Sequence, residues 1–289
     1  MIFSGYADLI QESREKGEEL WHYILLADAN EKGISEEESM EMMNHLWEAM
    51  KMASDNYDGT RKSASGLSGG NGAKMKAYKE KCISGEFIGE VIAEAISMGE
   101  SNACMRRIVA APTAGSCGVL PAVLIPYCRK YQVPDQKVIE ALYLTAGMGG
   151  VIATRASIAG AEGGCQAEIG SASAMAAAAL VYLAGGTLEQ TADAAALALK
   201  GLLGLVCDPI AGLVEVPCVK RNVIGAVNAI TAVDMVMAGV TSFVPVDQVI
   251  DAMGEIGRNM LPMYRETGEG GLAATPAARK VKQQDFRKA

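Results

Sequence analysis

This sequence of 289 residues is short of several things, and each shortage excludes something. It has two histidines, His22 and His45, so the commonest general base in catalysis is nearly missing. Its seven cysteines form no Cys-x-x-Cys pair, which argues against a zinc ribbon. Positive charge is in deficit: 26 Lys and Arg face 34 Asp and Glu, a net charge of −8, so no nucleic-acid footprint is expected. Period-2 alternation and tandem repeats are missing, so a strand-rich fold is not expected. The first residues lack a basic leader and a sustained apolar core, so no secretory signal is read there. Seven cysteines outside a small secreted framework fit a reducing compartment, the cytoplasm. Two uncharged runs, 108–128 and 169–188, are long enough to span a membrane. Prolines interrupt the first, and the second is mostly Ala, Ser and Gly, so buried helices and loops explain both better than membrane insertion.

What the chain does have is apolar residues, half of the total, enough to bury a large core. Aromatics make up only 5%, while Ala, Gly and Met abound, which predicts closely packed helices. Residues 1–57 read as amphipathic N-terminal helices. Ser35 to Glu38 forms a capping-box pattern. Met43, Leu46, Trp47 and Met50 recur at helical spacing, as a core face or a partner-facing surface. Residues 58–276 form the main body. Helices are expected at about 85–98, at 135–146 with Asp135 as cap, from a Thr187 capping box towards Cys207, from Asn222 to about 238, and at 246–260. Gly147, Gly149 and Gly150 are expected to loosen the chain. The last residues, 277–289, read as a polar, frayed tail. The fold class is mainly α: a compact helical domain with Gly/Pro-rich loops.

The stretch from Gly160 to Asn222 carries the chemistry. Cys165 follows Gly163-Gly164, Cys207 precedes Asp208-Pro209, and Cys218 follows Pro217 and leads into Lys220-Arg221-Asn222. All three lie at turns or helix ends, where thiolates can face a common point, and the neighbouring cations favour ionised sulfur. Buried structural thiols are the competing reading. The spacing is no general iron–sulfur signature, so the residues alone leave three candidate ligands and do not choose between the two readings.

Two other segments offer polar groups. Asn56 to Gly72 is either a flexible linker or a nest of backbone N–H groups for an anion. Thr113, Gly115 and Ser116 lie in a turn-prone segment whose backbone donors and hydroxyls suit a carboxylate or ammonium, or serve as a plain helix cap.

The runs GGCQAEIGSAS, GLVCDPIAGLVEVPCVKRN, SGLSGGNGAK, APTAGSCGVLPAVL and RETGEGGLAATPAAR resemble the α chain of bacterial iron–sulfur L-serine dehydratases. The resemblance covers nearly the whole chain, most weakly at the N-terminal helices. It implies that Cys165, Cys207 and Cys218 hold a 4Fe–4S cluster with one iron lacking a protein thiolate. No cysteine follows Cys218. The implied reaction is loss of water from L-serine, giving pyruvate and ammonia, with an iron as Lewis acid. It needs no pyridoxal phosphate, and no clear Schiff-base lysine motif is present. The resemblance puts Ser68, Gly69, Gly70, Thr113, Gly115, Ser116, Lys220 and Asn222 at the substrate. It makes Cys82, Cys104, Cys117 and Cys128 spectators. Neither histidine falls in a matching motif, and the family's base is attributed to a separate β chain or fused β domain. A hetero-oligomer with that β chain is therefore expected. A cluster-dependent L-cysteine desulfidase, a non-enzymatic iron–sulfur sensor and a metal-free helical interaction protein are the alternatives.

Overall fold

The computed structural model describes residues 3–282. Among the described residues there is no β-strand, only an isolated bridge between Cys207 and Arg265. The helices are α1 (Tyr6–Glu15), α2 (Leu20–Lys32), α3 (Glu36–Asp55), α4 (Asn71–Tyr78), α5 (Glu86–Ala103), α6 (Val119–Tyr131), α7 (Asp135–Arg155), α8 (Gly160–Gly163), α9 (Ser171–Leu183), α10 (Leu188–Lys200), α11 (Cys218–Met237), α12 (Val246–Asn259) and α13 (Pro276–Lys282).

The hub is α9. Its sequence, SASAMAAAALVYL, is small and apolar on every side, as a helix must be when neighbours surround it. Ser171 through Val181 are all buried, and α6, α7, α10 and α11 pack around them. Two cores result. One joins α5, α6, α9 and α11 and takes in Cys165 and Cys207. The other joins α1, α2, α7, α10 and α12 with the opposite side of α9. Truncating a fully buried leucine such as Leu124 to Ala should cost about 2–5 kcal/mol.

Local signals are realised where they are self-contained. Both capping boxes form, Ser35 with Glu38 at α3 and Thr187 with Gln190 at α10. Trp47 and Met50 are buried, whereas Leu46 is exposed, off the packed face. The two uncharged runs become the Thr113 turn with α6, and α9; among the described residues no helix is long and apolar enough to cross a membrane.

Four expectations are corrected. Gly147, Gly149 and Gly150 do not loosen the chain, because α7 continues through them to Arg155. A Cβ at Gly147 would stand 2.5 Å from Ile24 Cδ1, so the glycine admits α2 against α7, and that packing offsets its poor helix propensity. Asp135 is the first residue of α7, not its cap; its carboxylate instead accepts from Trp47 Nε1 at 2.7 Å and Lys51 Nζ at 2.8 Å. Helix α10 stops at Lys200, and turns lead on to Cys207, while α11 begins at Cys218 and not after Asn222. The tail expected over 277–289 starts as α13, and residues 283–289 lie outside the described residues.

Candidate active site

Three chain segments bring the three thiols within electrostatic reach of one another. Cys165 follows α8 and its closing Gly164, and leads into a π-helical turn, Gln166–Gly170, that runs straight into α9. Single π-turns of this kind are concentrated at functional sites. Gln166 ties the turn to the segment before Cys207: its N–H donates to Leu205 O at 2.9 Å, and its Oε1 accepts from Gly204 N at 2.8 Å. Cys207 is extended and paired with the 264–266 segment, its N–H donating to Tyr264 O at 2.8 Å and its carbonyl accepting from Glu266 N at 2.8 Å. Cys218 opens α11.

Cys165, Cys207 and Cys218 are 2%, 2% and 7% exposed. Burial pushes all three thiols up, Cys165 to about 11, Cys218 to about 12 and Cys207 further. Mutual charge adds to this: Cys165 and Cys218 both raise Cys207, and Cys165 raises Cys218. The three thiols thus lie within electrostatic reach of one another. Left alone they stay protonated at neutral pH; a cation among them would draw them into thiolates.

Among the described residues no three Cys, His, Asp or Glu converge tightly enough to hold one metal ion. Three soft sulfur donors with no histidine among them are of the type that suits an iron–sulfur core.

Glu168, in the π-turn, reaches into the same space. Its Oε2 lies 3.9 Å from Cys207 Sγ, and Thr113 Oγ1 donates to its Oε1 at 2.6 Å. Burial raises the Glu168 carboxyl above its ordinary value, and the charge of Glu266 adds to the rise, against the lowering hydrogen bond from Thr113. Gly160 lines this contact: a Cβ there would stand 2.6 Å from Glu168 Oε2 and 3.1 Å from Cys207 Sγ.

Of the other expected residues, some converge here and some do not. Gly115 borders Glu168. Ser116 is fully buried and spends its hydroxyl inside the turn, against Ala111 O and Thr113 O at 3.3 Å each. Asn222 is the tie between turn and thiol: its Oδ1 accepts from Gly118 N at 2.8 Å, and its Nδ2 donates to Gly115 O at 2.8 Å and Cys218 O at 3.0 Å. Lys220 is exposed on the first turn of α11. Ser68, Gly69 and Gly70 belong to a loop closed on Glu100, which accepts from Gly69 N and Asn71 N at 3.0 Å each. That loop reaches the thiol region through Ser63 and Ser65, whose hydroxyls donate to Glu215 at 2.5 Å and 2.8 Å; Glu215 lies just ahead of Cys218. A cleft of about 340 Å³ borders the α8 turn, lined by Glu162, Gly163, Ala167, Arg258 and Arg265 among others, but by none of the three thiols.

Comparison with known proteins decides the family. The family model for the serine dehydratase alpha chain matches residues 9–273. The chain belongs to that family. It is 46% identical to a probable L-serine dehydratase alpha chain of Bacillus subtilis, over 99% of this chain and 96% of that one. It is 43% identical to the L-serine dehydratase alpha chain of Peptoniphilus asaccharolyticus, over 97% of each. The L-serine dehydratase TdcG of Escherichia coli is 46% identical over 62% of this chain but only 40% of its own length, so that relative carries much additional sequence. The matched span includes Thr113, Glu168, all three thiols and Asn222.

Sequence reasoning gives Glu100, Glu168, Asp208 and Glu215 no role, and Arg221 only that of a nearby cation. A signal was available: each acid is an isolated charge in a stretch of small or apolar residues, where a carboxylate needs a specific partner.

Proposed function

We propose that this chain is the α subunit of an L-serine dehydratase, an ammonia-lyase that converts L-serine to pyruvate and ammonia. The observation carrying this reading is the buried Cys207 thiol set against Glu168, which Thr113 holds, inside a chain of the serine dehydratase alpha-chain family. Cys165, Cys207 and Cys218 would hold a 4Fe–4S cluster. When bound, that group supplies a Lewis acid for the departing 3-hydroxyl.

The chain's own residues prepare the rest. Glu168 Oε2, beside Cys207, is the atom in this chain able to hold a proton close to the reacting hydroxyl. Thr113 fixes its orientation. Asn222 and Ser116 act by holding the 113–118 turn against Cys218, since their polar atoms are already engaged. Gly115, with the 68–70 loop and Lys220, completes the substrate-binding set, Lys220 offering a cation to the amino acid's carboxylate. The base that removes the α-proton comes from a β chain. His22 pairs with Glu18 and Glu36, and His45 with Glu41, so neither engages a residue of this site. Free thiols that would hold an iron–sulfur group call for a reducing compartment, the cytoplasm.

The test is anaerobic purification with its β chain, iron and sulfide analysis, and pyruvate release from L-serine. Iron and sulfide bound in a cluster, with pyruvate formed from serine, is the expected result. Sulfide release from L-cysteine in place of that activity would move the substrate assignment, and a chain without iron would overturn the cluster.

A further inference from the structure

We propose that Arg221 is the positioning residue for the cluster, a single guanidinium that ties the helix opened by Cys218 to both sides of Cys207. The proposal rests on the cluster reading above.

Arg221 sits in the first turn of α11, which Cys218 opens. Its Nη1 donates to Val206 O at 2.7 Å, just before Cys207. Its Nη2 donates to Asp208 Oδ1 at 2.8 Å, just after Cys207. The charge of the same side chain also acts on the buried sulfur of Cys165. One planar fork therefore holds a main-chain carbonyl and a carboxylate on either side of Cys207. Asp208 extends the clasp, because its Oδ2 accepts from Leu272 N at 2.7 Å and so fastens the glycine-rich 268–272 segment beneath Cys207.

The geometry suits arginine and no other cation. A lysine ammonium is a point charge that cannot present two donors in a fixed plane to both acceptors. The ion pair is also buried, with side chains 14% and 4% exposed, a placement that only a fully engaged fork tolerates well. Three thiolates add negative charge at this centre, and Arg221 brings a compensating positive charge to one of the sulfurs. Outer residues that orient metal ligands typically change metal affinity about 10–100-fold when removed. Arg221 is such a residue for Cys207 and Cys218 together.

An ordinary structural ion pair would make the same fold contacts, so the test needs a readout on the cluster. The full chain with its β chain is loaded anaerobically with iron and sulfide, and compared as wild type, Arg221→Lys and Arg221→Gln/Asp208→Asn. The double variant removes both charges, so no buried carboxylate is stranded. Iron loss to a chelator is expected to be about tenfold faster or more in the double variant, and faster than wild type in Arg221→Lys. The midpoint potential of the double variant should shift from the wild-type value, because a charge pair beside Cys207 is removed, while Arg221→Lys, which keeps both charges, stays near wild type. Iron loss and potential at wild-type values in both variants would overturn the proposal and leave the cluster standing. A wild-type chain that binds no iron and sulfide would overturn the cluster reading and this proposal with it.

Discussion

Gly69 donates its backbone N–H to Glu100 Oε1 at 3.0 Å, so the glycine turn closes on a carboxylate of the protein itself. Asn71 adds its N–H at 3.0 Å and Nδ2 at 2.8 Å to the same oxygen, while Gly72 N at 3.1 Å and Tyr57 OH at 2.5 Å serve Oε2. This is a nest of donors with its anion built in. Replacing Glu100 by Gln keeps the shape but turns one acceptor into a donor facing two donors. The expected cost is roughly 2–4 kcal/mol, seen as a lower urea midpoint with unchanged slope. A variant as stable as wild type would mean that the donors find water instead.

The same carboxylate sets a pH dependence. Burial pushes Glu100 up, but hydrogen bonds from Tyr57, Asn71 and Gly72 outweigh it and hold the group below its ordinary value of 4.5. A carboxyl depressed in the folded state stabilises the fold above its unfolded value, and that stabilisation is lost as pH falls through the folded value. The stability gap between wild type and Glu100→Gln should therefore be widest at neutral pH and shrink below about pH 4.5. Urea titrations across that range check it; a gap independent of pH would place its origin in packing.

How much of this was legible follows from how far apart the partners lie. The capping boxes at Ser35 and Thr187 join residues three apart, so the sequence displays both halves. Gly147 in α7 has its reason in Ile24, on another helix, and reads locally as a break. The 68–70 loop shows donors in its composition but not their anion, since Glu100 lies near the far end of α5. Spacing never gathered Cys165, Cys207 and Cys218; only resemblance to a family did. Glu168 reads as a lone acid because Thr113, which fixes it, comes 55 residues earlier.

Asn222 links two parts of the site that no other described side chain joins in the same way. Asn222→Ala would leave Gly118 N, Gly115 O and Cys218 O without their amide partner in a buried place. The expected loss is about 2–3 kcal/mol, measured by urea unfolding of the iron-free chain. Asn222→Asp can still accept from Gly118 but puts a carboxylate against two carbonyl oxygens, so it should be no better than alanine. Full stability in either variant would show the 113–118 turn to be held by its own Thr113 and Ser116 bonds.

Burial by itself does not separate ligand thiols from structural ones, and Cys117 supplies the comparison. It is 0% exposed, donates to Met98 O at 3.7 Å, and burial raises its thiol to about 12, much as at Cys218. No charge from another cysteine adds to its rise. Cys117→Ser should then lower stability by placing a hydroxyl in an apolar setting, yet leave bound iron and sulfide at wild-type levels. Cys165→Ser, Cys207→Ser and Cys218→Ser should each lose iron, and Cys82→Ser should change neither property. Iron and sulfide assays beside thermal melts of the five variants separate the two roles. Equal iron in Cys117→Ser and Cys165→Ser would mean that burial, not ligation, explains why these sulfurs are there.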